Sequence, residues 1–253
     1  MNARPPDGSG AIYPAGSVGG PGHQWPPAYG RGRSPDGTRA SGLHVVIGGN
    51  ASGKSAVAED IASRLSNGLP VIYLATSPAP PGDAELGARI ASPRARRPSS
   101  WVTVEASSDL ALAVAETRMT GFSDVILLED VGSLASSNLP WIETGPDGME
   151  MVPDGALEAT VAAVLGEVDA VRGVIGPTWG SLVVVCPDPG GGPLPNSAVD
   201  RLWIEVVGMV NQSLVREADT AWAVIAGKPV DLHAGAKLVE TFDMKRGQHS
   251  DAS

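Results

Sequence analysis

Beyond about residue 42, short apolar runs alternate with longer stretches of helical period. Leu43–Gly48, Val71–Ala75, Val125–Glu129, Leu182–Cys186 and Ala221–Ala226 are apolar almost throughout. Runs of that length without polar alternation predict strands buried on both faces. The last of them is expected to be the final strand. Between them Ser55–Leu65, Ser107–Thr117 and Asp154–Arg172 read as helices, with Asp154 a candidate N-cap. Val199, Trp203, Val206, Val210 and Leu214 recur at helical spacing and predict an amphipathic helix. The stretch near Gly173–Cys186, broken by Gly and Pro, reads as a loop leading into a buried strand. Strand and helix in alternation predict an α/β domain with a mostly parallel sheet flanked by helices. There is no internal repeat.

Composition changes that picture at the ends. The first 40 residues hold 9 Gly and 7 Pro but only two aliphatic β-branched residues, Ile12 and Val18. Such a segment buries too little apolar surface to offset its ordering entropy, so residues 1–41 are expected to be a disordered tail. Residues 42–232 are then the single folded domain, and the polar stretch 233–253 a loose C-terminal tail. The formal net charge of −10 argues against a general nucleic-acid or anionic-membrane binder. The lone cysteine, Cys186, excludes an internal disulfide framework and a Cys-based zinc cage, and a reduced cytoplasmic compartment is expected. Cys186 reads as a buried strand-end thiol, and Trp203 and Trp222 as core residues. No apolar run is long enough to span a bilayer, and no compact apolar leader is visible.

The chemistry centres on Gly48-Gly49-Asn50-Ala51-Ser52-Gly53-Lys54-Ser55, which fits G-x-x-x-x-G-K-[ST] in full. It lies between a predicted strand and a predicted helix, as a phosphate-binding loop requires. Gly48 and Gly53 permit backbone angles that side chains forbid. Successive N–H groups then make a nest for phosphate oxygens, reinforced by the helix N-terminus. Lys54 would reach the β- and γ-phosphates, and the Ser55 hydroxyl would ligate Mg²⁺. Such a loop needs an acid from a neighbouring strand end as a second metal anchor. Val125–Asp130 supplies Glu129 or Asp130 for that task. ATP or GTP is the nucleotide expected.

Further motifs resemble one family. Tyr73-Leu74-Ala75-Thr76-Ser77 resembles its second strand; Glu85, Arg89 and Ile90 sit like its E-x-x-x-R-I helix; Arg97-Pro98 and Trp101 resemble its step into the next strand. Leu128-Glu129 with Asn138, then Val210-Asn211-Gln212 and Ala218-Asp219, complete the set. The chain, from about Leu43 to Leu232, resembles the bifunctional adenosylcobinamide kinase / adenosylcobinamide-phosphate guanylyltransferases of cobalamin biosynthesis. The resemblance implies a RecA-like P-loop NTPase fold, a homo-oligomer (a trimer), and an adenosylcobinamide-type acceptor. It also implies substrate or phosphate contacts from Thr76, Ser77, Glu85, Arg89, Arg97 and Asp188. Phosphoryl transfer from ATP or GTP to an aminopropanol hydroxyl comes first, then guanylyl transfer through a histidine–GMP intermediate.

The sequence departs from the family in two places. The nucleophilic histidine falls between R-I and R-P in the family, whereas Ala91–Arg96 contains none. No histidine occurs between His44 and His233, and both of those lie away from the loop. Ser92 lacks an activating base, and Arg94, Arg96 and Arg97 are candidate phosphate ligands there. In Cys186–Pro195, Pro187 replaces the family's Asn and Asp188 its Glu. The kinase half of the activity is thus expected to survive better than the guanylyltransferase half. The alternatives are a nucleotide-binding regulatory or scaffold paralogue, and a P-loop kinase of another small molecule.

Overall fold

The structure, a computed structural model, describes residues 42–77, 97–120, 124–146, 148–175 and 180–234. The expectations placed on 1–41, on Glu85, Arg89, Ser92, Arg94 and Arg96, and on the end of the chain lie outside those residues. The elements in chain order are β1 (Gly42–Gly48), α1 (Lys54–Ser66), β2 (Ile72–Ala75), β3 (Val102–Glu105), α2 (Leu110–Thr120), β4 (Val125–Glu129) and α3 (Val131–Asn138). There follow β5 (Glu143–Thr144), β6 (Glu150–Met151), α4 (Ala156–Ile175), β7 (Ser181–Pro187), α5 (Ala198–Glu217), β8 (Thr220–Ile225) and β9 (Lys228–Asp231).

The main sheet has seven strands in the order β3-β2-β4-β7-β1-β8-β9. All its pairs are parallel except β8 with β9. Side chains alternate across a strand, so the continuous apolar runs feed two cores. On one face Val45, Leu74, Leu128 and Val184 pack with α2–α5 through Leu110, Leu134, Val168 and Val206. On the other Val46, Tyr73, Leu127 and Val183 pack with Val57, Ala58 and Ile61 of α1. Each large aliphatic side chain so buried contributes about 1.5–3 kcal/mol relative to exposure. Gly48 is in register with Pro187 on one side and Val224 on the other. The turn after β1 therefore opens at the carboxyl edge of the sheet, flanked by the ends of β7 and β8.

The five predicted strands and four predicted helices are present, with shifted boundaries. The helix expected from Ser107 begins at Leu110, because Asp109 takes φ 52° and the Glu167 carboxylate accepts from the N–H groups of Asp109 and Leu110 (3.0 Å each). Asp154 does not immediately precede its helix. Gly155 does, with φ 74°, and its carbonyl accepts from Ala159 N–H at 3.0 Å. Gly173 belongs to α4, which continues to Ile175, and not to a loop. The strand Thr220–Ile225 is not the last. Ala226 and Gly227, at φ 48° and 76°, turn the chain tightly into β9. The short helix α3 and the β5–β6 hairpin were not legible as patterns; β3 occupies the place that the family resemblance implies after Trp101. Trp222 is buried, and Trp203 is half-buried against the core. Among the described residues no helix is long and apolar enough to cross a membrane.

Candidate active site

The loop between β1 and α1 is built almost wholly from backbone. A Cβ at Gly48 would lie 2.4 Å from Ser52 Oγ and 2.9 Å from the Val224 carbonyl, so only glycine fits. Gly53 takes φ 93° as the N-cap of α1 and makes no side-chain cap. Its carbonyl accepts from Val57 N–H at 3.1 Å. Ala51 also has a positive φ, 56°. Ser52 fixes the curve: its N–H donates to Gly49 O (3.2 Å), its hydroxyl accepts from Lys54 N–H (3.3 Å), and its carbonyl accepts from Gly227 N–H (2.8 Å). That last bond ties the loop to the β8–β9 turn. Asn50 is exposed at the tip. Lys54 Nζ donates across the loop to Gly49 O at 3.5 Å.

Ser55, in the first turn of α1, donates its hydroxyl to Glu129 Oε1 at the end of β4. Burial, opposed by the Ser55 hydroxyl and assisted by the charges of Asp130 and Glu59, pushes the Glu129 carboxyl up to about 7. Its second oxygen, Oε2, is buried with no hydrogen-bond partner. Asp130, the other candidate acid, is used elsewhere. It is the N-cap of α3, accepting from Ser133 N–H at 2.8 Å. The acid beside Ser55 is therefore Glu129.

The remaining predicted residues divide. Thr76 is buried; its hydroxyl donates to Asp130 O (2.7 Å) and its N–H to Glu129 O (2.9 Å), so it joins β2 to β4. Ser77, the next residue, is exposed. Arg97 stacks on Tyr73 at 3.3 Å from the ring centroid and lies 3.6 Å from Glu59, its side chain only 7% exposed. That arginine is held against the α1 face of the sheet. Asp188 is exposed beside the loop; its N–H donates to Gly48 O at 3.0 Å and its carboxylate accepts from Gly190 N–H at 3.1 Å. Burial pushes the Cys186 thiol far up, which makes it inert. His44 Nδ1 contacts Thr220 Oγ1 at 2.9 Å at the amino end of β1, and His233 meets the Val215 carbonyl at 3.2 Å; both are away from the loop.

A hydroxyl, a carboxylate with one unpartnered buried oxygen, and an amide nest at a helix N-terminus fit a hard divalent cation with a polyphosphate. Mg²⁺ takes few protein ligands and completes its shell from phosphates and water. No cluster of three or more His, Cys, Asp or Glu side chains placed to hold a metal exists among the described residues.

Fold and site together define a P-loop nucleotide-dependent transferase. The family described as cobinamide kinase / cobinamide phosphate guanyltransferase matches residues 44–232, and the chain belongs to that family. It is 32% identical over 188 residues to the bifunctional adenosylcobalamin biosynthesis protein CobP of Pseudomonas aeruginosa, covering 74% of this chain and 95% of that protein. The corresponding CobU of Salmonella typhimurium is 30% identical over 183 residues, covering 72% and 95%. Among solved structures, the flagellar accessory protein FlaH of Methanocaldococcus jannaschii aligns at 13% identity and a TM-score of 0.42, covering 78% and 80%.

Proposed function

We propose that this chain phosphorylates adenosylcobinamide with ATP or GTP and Mg²⁺, and does not perform guanylyl transfer through a histidine. The observation that carries the kinase half is the complete phosphate loop with Ser55 and Glu129 in contact and one Glu129 oxygen free of protein partners. The loop amides cradle the β-phosphate, Lys54 neutralises charge developing on the transferred group, and Ser55 and Glu129 hold the cation. Bound there, Mg²⁺ would supply charge neutralisation at the phosphate oxygens. Phosphoryl transfer needs positioning and electrostatics and no covalent group on the protein. The guanylyl step does need one, and the chain has no histidine between His44 and His233. Cytoplasmic location and assembly as a homo-oligomer belong to the same reading.

The test is incubation of purified protein with Mg²⁺, adenosylcobinamide and ATP or GTP labelled at the γ- or α-phosphate, with Lys54→Ala as control. The expected result is γ-label on the corrinoid and no α-label on protein or product. Appearance of α-label would show that another group serves as the guanylyl acceptor. Nucleotide binding without any transfer would point to a different acceptor or a binding subunit.

A further inference from the structure

The phosphate loop is fixed from the opposite side of the sheet to α1, by a residue more than 150 positions later in the chain. Pro187 ends β7, and the peptide group it forms with Asp188 is held at both ends. Its N–H donates to Gly48 O at 3.0 Å, at the entrance to the loop. Its carbonyl accepts from Asn211 Nδ2 of α5 at 2.9 Å. Asn211 is 9% exposed, so water competes poorly for that bond. A second contact from the same helix reinforces the first. Trp203 Nε1 donates at 2.9 Å to the carbonyl of Gly132, in the first turn of α3, just beyond Glu129 and Asp130. Gly132 in turn packs so tightly on the Pro187 ring that a Cβ there would lie 2.6 Å from Pro187 Cγ.

We infer that Asn211 is a positioning residue for nucleotide binding, acting through the Pro187–Asp188 peptide to fix the Gly48 carbonyl and the start of the phosphate loop. A hydrogen bond at one end of a peptide group polarises it and strengthens the bond at the other end. With Asn211 in place, the turn from Gly48 to Gly53 presents its amides in one geometry. Without it, the Pro187 carbonyl loses its buried donor and the peptide is free to rotate, which releases Gly48. The inference rests on the nucleotide-binding reading of the loop, though not on the identity of the acceptor.

Asn211→Leu removes the donor at similar volume, and Asn211→Ala does so with less crowding should the leucine variant not fold. Two readouts apply. Deuterium uptake by the segment 185–192, measured without nucleotide, is expected to accelerate, with the interior of β1 unchanged. Affinity for a fluorescent ATP analogue with Mg²⁺ is expected to fall about five- to tenfold, the scale of one lost buried hydrogen bond. In turnover, KM for nucleotide rises by the same factor while KM for the acceptor and kcat stay within about twofold. A lower melting temperature with unchanged nucleotide affinity and unchanged uptake at 185–192 would overturn the inference and leave Asn211 a core residue. Failure of the wild type to show binding that Lys54→Ala abolishes would instead sink the reading of the loop.

Discussion

At Glu129, burial and the neighbouring acids outweigh Ser55 and Lys54, and the carboxyl rises from its ordinary 4.5 to about 7. Between those values the unfolded chain has released its proton while the folded chain keeps it, so this group's contribution to stability falls as pH rises through that window. At about 1.36 kcal/mol per unit, the loss by pH 8 is on the order of 3 kcal/mol at most. Glu129→Gln is therefore expected to resist urea better than the wild type at pH 8 without metal, while losing most of its Mg²⁺-dependent turnover. His44 runs the other way. Burial, partly offset by Asp219, lowers its imidazole to about 4, and Nε2 is buried without a partner. Between pH 6.5 and about 4 the unfolded chain takes up a proton that the folded chain refuses, so stability falls as pH drops across that range. His44→Gln removes that rise with pH and leaves the Glu129 slope unopposed, so its unfolding free energy is expected to be lower at pH 7 than at pH 4.5. The two windows overlap and their slopes are opposed, so each is visible only in a single variant, not in the wild-type profile.

The elements explain which parts of the fold a sequence pattern can carry. β1, β4 and β7 read as strands because burial on both faces leaves them continuously apolar. The phosphate loop reads as itself because its function is written in glycines and one lysine, which serve backbone geometry and local charge. α3 does not, since eight residues directly after a strand give too short a period, and its cap, Asp130, looks like a second metal acid. Glu129 and Asp130 cannot be told apart by pattern, because successive residues at a strand end face opposite ways. The partners of Thr76 and Arg97, Asp130 O and the Tyr73–Glu59 pair, are set by sheet order and helix packing, which no local pattern carries. At this scale the junction of α3 with β7 is the tightest place. Gly132→Ala must displace the Pro187 ring or the Trp203 indole, which lies 3.0 Å from the added carbon. A destabilisation of about 1–3 kcal/mol is expected by chemical denaturation, the usual cost of overpacking. Ser197 caps α5 by accepting from Asp200 N–H at 3.2 Å, so Ser197→Ala is expected to cost about 1 kcal/mol in the same assay.

For the molecule as a whole, one nucleotide gathers pieces from most of the sheet. The loop hangs between β1 and α1, leans on the β8–β9 turn through Gly227, and is set by β7 and α5; its acid comes from β4. A ligand that binds this arrangement and not the unfolded chain raises its stability by about 2.7 kcal/mol at a hundred times Kd. Thermal unfolding with Mg²⁺ and ATP at that level is expected to shift upward by roughly 5–10 °C, and Lys54→Ala is expected to show no shift. The packing of Gly132, Pro187 and Trp203 also has a mutational consequence. Three residues from α3, β7 and α5 share a volume that admits no further carbon. A side chain at position 132 is therefore costly while this proline and this indole are in place, and a smaller residue at 187 or 203 would relieve that cost. The three positions are thus expected to be coupled, the cost of Gly132→Ala shrinking in a Trp203→Leu background when the two are compared in a double-mutant cycle.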